Sequence, residues 1–170
     1  NSRITVGLVS NADAPRLDGD LTIDAASPVR GIATSGWRGR SQSLGIADSV
    51  TVLAKAAATA DVAATLIANA VNIDHPVVRR APASSLRDDT DLGDRLVTVD
   101  VGMLDRDSVE AALEAGRVVA VDMADRGLIL SASLMLQGVA SVVSATSSAE
   151  ASMVPMLKQG NGRQELRREM

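Results

Sequence analysis

The period of hydrophobic and polar positions changes several times along the chain, and each change predicts an element. Arg3 to Ser10 (RITVGLVS) alternates and is rich in β-branched residues, which predicts a strand. Asn11 to Asp20 gathers Asn, Pro, Gly and Asp and reads as a loop. LTIDA at Leu21–Ala25 and VRGIAT at Val29–Thr34 read as a second and a third strand, the third ending in a Ser-Gly turn. Trp37–Ser43 is loop, and SVTVL within Leu44–Leu53 is strand-like. Ala56–Val71 then shifts to Ala, Leu and Ile, the clearest helix of the chain, with Thr59 or a neighbour as its cap. NIDHP stops it, because Pro76 turns His75 away from helical angles.

The second half is less regular. Arg79–Gly93 is polar and rich in Asp, Ser and Pro, and reads as one long loop. Arg95–Val101 (RLVTVDV) is a strand. Ser108 caps a helix, VEAALEAG, that stops near Gly116, and Val118–Asp122 fits either a strand or a continuation of that helix. Leu128–Val143 alternates around Gly138, as one bent strand or a strand pair. Residues 144–170 read as a tail whose end is strongly charged. Short links between early strands favour antiparallel pairing, so the fold class is α+β: an antiparallel sheet with helices on one face, in a single domain over residues 1–143.

Composition narrows the functions. Hydrophobic residues make up 46% of 170, with one Trp and no Phe or Tyr, so the core is aliphatic and Trp37 alone offers a surface for stacking a ring. A net charge of −4 argues against a general nucleic-acid binder, which needs a positive surplus. The absence of Cys removes disulfides, thiolate catalysis and Cys-held metals, and fits a reducing cytoplasm. No apolar run reaches the roughly 20 residues that span a bilayer. The chain begins at Asn1 and enters a strand almost at once. That predicts the later part of a longer protein, or one chain of a processed pair.

Three features carry candidate chemistry. Asp61 and Thr65 stand four residues apart and share a helix face, an arrangement that suits a hard cation such as Mg²⁺, which takes few protein oxygens and completes its shell with water and phosphate. The plain alternative is a carboxylate serving the helix dipole and a packing Thr. In the loop Arg30–Ser43, Arg30, Arg38 and Arg40 flank Gly31, Gly36 and Gly39, with Thr34, Ser35, Ser41 and Ser43 between them. Backbone N–H groups and Arg forks of this kind bind anions, and a solvated turn is the alternative. Neither GxxxxGK[ST] nor GxGxxG is present, which excludes a P-loop and a Rossmann fingerprint. Asp48 lies in a small apolar setting (GIADSV) and needs a partner: an amide, an arginine or a metal. The lone His75 in its turn reads as a surface residue, and the acidic run Asp88, Asp89, Asp91 and Asp94 as a solvated loop or a lid that steers a ligand.

Three segments carry a family resemblance: GIATSGWRGRSQSLGIADSVTVLA (Gly31–Ala54), ADVAATLIANAV (Ala60–Val71) and DLGDRLVTVDVG (Asp91–Gly102). Over most of residues 29–140 the chain resembles the UPF0280 family, a branch of the ApbE-like superfamily. That superfamily includes FAD:protein FMN transferases, which use Mg²⁺ to cleave FAD and attach FMN to a Thr or Ser of a target protein. In those enzymes a TSG turn, here Thr34–Gly36, precedes a His-containing segment, and an ADALAT-type helix start supplies metal ligands. The resemblance places those ligands on Asp61 and Thr65. The HIIDP-like segment is missing, with LGIADSVTV in its place, and the upstream flavin-contacting half is absent from this chain. The resemblance implies a T-fold-related architecture with a pseudo-duplicated body, of which this chain is the later part.

The functional expectation is an ApbE-like protein binding a phosphate-bearing or flavin-type ligand (FAD or FMN) with Mg²⁺. Asp61 and Thr65 hold the metal, Thr34, Ser35, Gly36, Arg38, Arg40 and Ser41 contact the ligand, and Asp48 and Ser35 are the candidate catalytic groups. A non-catalytic flavin or small-molecule binder, and a hydrolase with Thr34 or Ser35 as nucleophile, are the competing readings. The expected partners are the small molecule, the missing N-terminal part or processed chain, and a second copy of the chain. Nucleic acid and membrane are excluded.

Overall fold

A computed structural model describes residues 3–8 and 19–145. In chain order the elements are β1 (Arg3–Leu8), β2 (Gly19–Asp24), β3 (Gly31–Ser35), β4 (Ser49–Ala54), α1 (Ala57–Ala70), β5 (Val78–Pro82), a 3-10 turn (Ala83–Ser85), β6 (Leu96–Val101), α2 (Arg106–Asp125), β7 (Ser131–Leu136) and β8 (Val139–Ser144). Every strand pair is antiparallel. A four-stranded sheet has the order β3-β4-β7-β8, and β1-β2 and β5-β6 are two-stranded ribbons. The α+β class and antiparallel pairing read from the sequence therefore hold.

Strand alternation sorts the four-stranded sheet into two faces. Val50, Val52 and Ala54 of β4 and Ala132, Leu134 and Leu136 of β7 are buried on the face that meets the helices. α1 packs on β3 and β4, α2 on β7 and β8, and the helices touch each other. The opposite face carries a patch of small hydroxyl side chains beside Ile32, Leu53 and Met135. Thr34, Thr51 and Ser133 lie in one cross-strand row, and Thr34 and Thr51 share a hydrogen bond of 2.8 Å. A second, smaller core joins Ile23 and Val29 to Leu53, and so ties the β1-β2 ribbon to the sheet.

Several local expectations are corrected. α2 does not stop at Gly116, and Val118–Asp122 is helix. Gly116 sits where a side chain would overlap Val71 and press on Leu134, so packing keeps a glycine inside a helix despite a propensity cost of about 1 kcal/mol. The helix ends ten residues later in a Schellman motif: Gly127 (φ 69°) donates to Ala124 O at 2.9 Å and Leu128 to Met123 O at 2.9 Å. Its cap is Asp105 rather than Ser108, whose N–H and hydroxyl both donate to the Asp105 carboxylate, at 2.9 and 2.8 Å. α1 starts at Ala57 with Ala56 as its cap residue and no side-chain cap bond, so Thr59 does not cap it.

The polar stretch after Arg79 begins as a strand. β5 pairs with β6, the Arg79 guanidinium meets the Asp100 carboxylate across the ladder at 3.1 Å, and a bulge falls between Arg79 and Arg80. β7 and β8 form a strand pair joined by Gln137 (φ 45°) and Gly138 (φ 80°), the two left-handed residues of a type I′ hairpin turn. Ser144 belongs to β8, and Gly19 and Asp20 to β2, instead of to tail and loop. The remainder of both expected segments, residues 11–18 and 146–170, lies outside the described residues. No helix among the described residues is long and apolar enough to cross a membrane.

Candidate functional site

The centre of the candidate site is the connection between β3 and β4, residues 36–48, which the rest of the fold holds at many points. Gly36 is buried because its backbone runs against the Asp48 carbonyl, where a Cβ would overlap. The Trp37 N–H donates to Ala47 O at 3.0 Å and closes the base of the loop, while Gly39 donates to Gly36 O at 3.1 Å and tightens its tip. Further along, Arg87 Nη2 donates to Arg40 O at 2.8 Å, and Gln42 Nε2 to Ala83 O at 3.1 Å. Asn69 Oδ1 accepts from the Ser43 hydroxyl and the Leu44 N–H, at 3.2 and 3.0 Å. Gly45 lies flat on the end of α1, so close to Ala68 O that a side chain has no room.

Asp48 is the hub of this loop. Its Oδ2 accepts the Gln137 backbone N–H at 2.6 Å, and its Oδ1 accepts Trp37 Nε1 at 3.3 Å with Arg38 Nε at 3.7 Å. Arg38 in turn stacks on the Trp37 ring, 4.4 Å from the centroid, a cation–π contact. The predicted need of Asp48 for a partner is met by two N–H donors and a guanidinium. Gln137 extends the network: its Oε1 accepts the Leu104 N–H at 3.0 Å and its Nε2 donates to Gly102 O at 2.8 Å. The sequence reading missed Gln137. The signal available was a Gln-Gly pair between two alternating runs, which marks a turn but not its partners.

The predicted ligand-contacting residues fall into two groups. Gly36, Arg38, Arg40 and Ser41 lie on the loop, with Arg38, Arg40 and Ser41 exposed. Thr34 and Ser35 end β3, and strand alternation sends them to opposite faces: Thr34 to the hydroxyl face against Thr51, Ser35 to the helix side opposite Val50. The Ser35 hydroxyl makes no hydrogen bond among the described residues, and neither Asp48 nor His75 bonds to it.

Asp61 and Thr65 stand on the exposed face of α1, beside the exposed Val62 and Leu66, while Ala60, Ala63, Ala64, Ile67 and Ala68 face inward. Neither side chain is engaged by another described residue. Two open hard-oxygen donors one helical turn apart fit Mg²⁺, whose remaining positions go to water and phosphate. No group of three or more His, Asp or Glu side chains among the described residues surrounds a cation position. His75, half-buried, accepts the Val77 N–H on Nδ1 at 3.3 Å and turns Nε2 toward Asp105 at 3.9 Å, so it serves the turn between α1 and β5 and faces the cap residue of α2. The Asp88–Asp94 run is exposed turn, with Asp94 accepting from Ser84 at 2.7 Å. An open cleft of about 450 Å³ is lined by Ile4, Ile23, Asp24, Val29, Arg30 and Ile32 among others; it takes in Arg30 and Gly31 of the predicted anion loop, and not Arg38, Arg40, Asp61 or Thr65.

Comparison with known proteins places the chain. A family model described as AbpE bacteria matches residues 1–142. A UPF0280 protein of Methanothermobacter thermautotrophicus is 37% identical over 131 residues, covering 76% of this chain and 48% of its own length. The chain thus spans about half the length of the curated relative it matches. No solved structure matches it. With residues 1–142 inside one family model, the chain belongs to the family described as AbpE bacteria, and its likeness to the Methanothermobacter thermautotrophicus protein supports a place in UPF0280.

Proposed function

We propose that this chain forms part of an ApbE-like, T-fold-related site that binds a phosphate-bearing or flavin-type ligand together with Mg²⁺. The observation that carries the reading is the open pair Asp61 and Thr65 on α1, two unengaged oxygen donors on one exposed helix face. These residues hold the cation. When bound, Mg²⁺ neutralises charge on a phosphate or pyrophosphate group.

The chain's own residues supply binding and orientation. Arg40, exposed on the loop, and Arg38, partly engaged, give guanidinium forks for phosphate oxygens. Trp37 offers the one aromatic surface of the chain, with Arg38 covering one face. Asp48 holds Arg38 and Trp37 in place, and the Ser35 hydroxyl makes no hydrogen bond among the described residues. Gly36 lets the loop backbone lie close to β4, Ser41 adds an exposed hydroxyl on the loop, and Thr34 offers its hydroxyl on the sheet face opposite to that of Ser35.

Binding without turnover is the second reading. It is favoured by Asp48, whose carboxylate is already committed to Gln137, Trp37 and Arg38, and by Ser35, which has no base bonded to it. Incubating the purified chain with FAD and Mg²⁺ and assaying AMP separates the two. AMP release supports the transferase-related enzyme. Saturable flavin binding with no AMP supports the binding protein. Loss of neither Mg²⁺ nor ligand affinity in Asp61→Ala overturns the metal assignment in both.

A further inference from the structure

A second polar cluster lies where the β5-β6 ribbon meets the end of α1, and it is built almost wholly of donors. Arg80 follows the exposed Arg79 in β5 and turns to the inner side of the ribbon, where it is half-buried. Its Nη2 donates to Asn72 Oδ1 at 2.5 Å and to Ile73 O at 3.4 Å. No carboxylate among the described residues lies within 4 Å of it, whereas its neighbour Arg79 is paired with Asp100. A half-buried guanidinium with no opposite charge beside it leaves part of its charge uncompensated.

Thr98 of β6 is the direct cross-strand partner of Arg80, so the two side chains share one face of the ribbon at roughly 5 Å between Cβ atoms. Thr98 is 7% exposed, and its hydroxyl is buried with no hydrogen-bond partner. The Thr98 N–H is bonded to Ser43 O at 2.8 Å, which sets the edge of β6 against the Ser43–Leu44 turn. On the other side of that turn, Asn69 spends its Oδ1 on Ser43 and Leu44, and its NH₂ group has no acceptor among the described residues. Asn72, which anchors Arg80, donates to Leu44 O at 3.3 Å and so belongs to the same cluster.

The unspent groups are therefore guanidinium N–H, one hydroxyl and one amide NH₂. A planar fork beside neutral donors, with no competing carboxylate, matches an oxyanion that presents two oxygens. We propose that Arg80, with Thr98 opposite and Asn69 across the Ser43–Leu44 turn, receives an oxyanion: a phosphate or carboxylate group of a ligand. The site uses none of Arg38, Arg40, Asp61 and Thr65, although Asn69 stands one helical turn beyond Thr65 on α1.

The test is titration of the full chain with inorganic phosphate, and separately with acetate, at constant ionic strength, read by thermal shift and by ¹⁵N spectra of the Asn69 side-chain amide and Arg80 Nε. The expected result is a saturable rise in Tm and saturable shifts of both signals with at least one of the two anions. The stronger response identifies the group as phosphate or carboxylate. Arg80→Gln abolishes the shift of the Asn69 side-chain amide, and Arg80→Lys, which keeps charge and loses the fork, weakens the binding that shift reports at least tenfold. Thr98→Val keeps the side-chain shape and separates ligand binding from structure. It raises Tm or leaves it unchanged without anion, since no bond is lost, and weakens anion binding several-fold.

The double variant Arg38→Gln/Arg40→Gln removes any phosphate taken by the β3-β4 loop and leaves the saturable shift of the Asn69 side-chain amide in place. A response lost in that variant and retained in Arg80→Gln assigns the anion to the β3-β4 loop and overturns this proposal alone. No saturable response to either anion overturns it as well, leaving Arg80 as a clamp on the Asn72 turn and Thr98 beside a buried water.

Discussion

The backbone N–H of Gln137 donates to Asp48 Oδ2 at 2.6 Å, across 89 residues of sequence. One carboxylate thereby joins the β3-β4 loop to the β7-β8 hairpin turn, and the Gln137 side chain carries the connection on to Gly102 and Leu104 before α2. Asp48→Ala leaves the Gln137 N–H and Trp37 Nε1 without their acceptor, a loss of about 1–3 kcal/mol. Asp48→Asn retains one acceptor oxygen and loses less. Trp37 is the only Trp and is bonded to Asp48, so urea unfolding followed by its fluorescence reports both the stability and the local change. Equal stability of Asp48→Ala and the parent chain would show that the hub does not hold the loop.

Asp61 and Thr65 make no side-chain hydrogen bond or ion pair among the described residues and stand on the exposed face of α1. Asp61→Ala and Thr65→Val are expected to change unfolding free energy by no more than about 0.5 kcal/mol, the ordinary range for exposed positions. Both are expected to weaken Mg²⁺-dependent ligand binding in calorimetry at least tenfold. A large loss of stability in either would make the pair structural.

Two buried glycines separate backbone from side-chain crowding. At Gly45 the obstacle is the Ala68 carbonyl of α1, which cannot move without distorting the helix, so Gly45→Ala is expected to cost about 3 kcal/mol or more. At Gly116 the obstacles are the Val71 and Leu134 side chains, which can shift. Overpacking of about 1–3 kcal/mol is offset there by about 1 kcal/mol of helix propensity, so Gly116→Ala is the milder change. Melting temperatures of the two variants check the order.

The Asp105 carboxyl is held below the usual carboxylate range, first by the Ser108 N–H, then by the Ser108 hydroxyl, with the His75 imidazole a smaller contributor. A group with its folded value depressed contributes stability above its unfolded value, and that contribution is lost as pH falls through the folded one. The α2 cap therefore loses strength below about pH 4. Glu114, lowered by its bonds to Arg117, acts with the same sign. Asp105→Asn keeps a capping oxygen and does not titrate, so its stability is expected to fall less steeply below pH 4 than that of the parent chain. Identical acid limbs in denaturation curves would exclude the cap as a source of the slope.

The strands and helices that the sequence revealed were those whose own side chains carry the pattern. SVTVL became the fully buried β4, and ADVAATLIANAV became most of α1, because a central strand and a packed helix must be apolar along their length. β5 was hidden because its five residues include two arginines and a proline, and it is a strand only because β6 supplies the ladder and Asp100 meets Arg79. α2 was cut short at Gly116 because local propensity carries no information about Val71 and Leu134 waiting across the helix.

For the candidate site, residue types were legible and partnerships were not. Asp48 needed a partner by the chemistry of a carboxylate among small apolar neighbours, but nothing local names Gln137. The four-residue spacing of Asp61 and Thr65 put both on one face of α1 before any coordinates, and tertiary packing decided that this is the outward face. Arg80 and Thr98 drew no notice as isolated letters and became a cluster only when the β5-β6 register set them opposite each other. The sequence by itself determined the α+β class, the antiparallel pairing and the helix face shared by the two oxygens, since these follow from short-range periodicity and link length. Tertiary structure alone decided which glycines are obligatory, which carboxylate is a hub and which guanidinium lacks a counter-charge, because each depends on contacts between segments far apart in the chain.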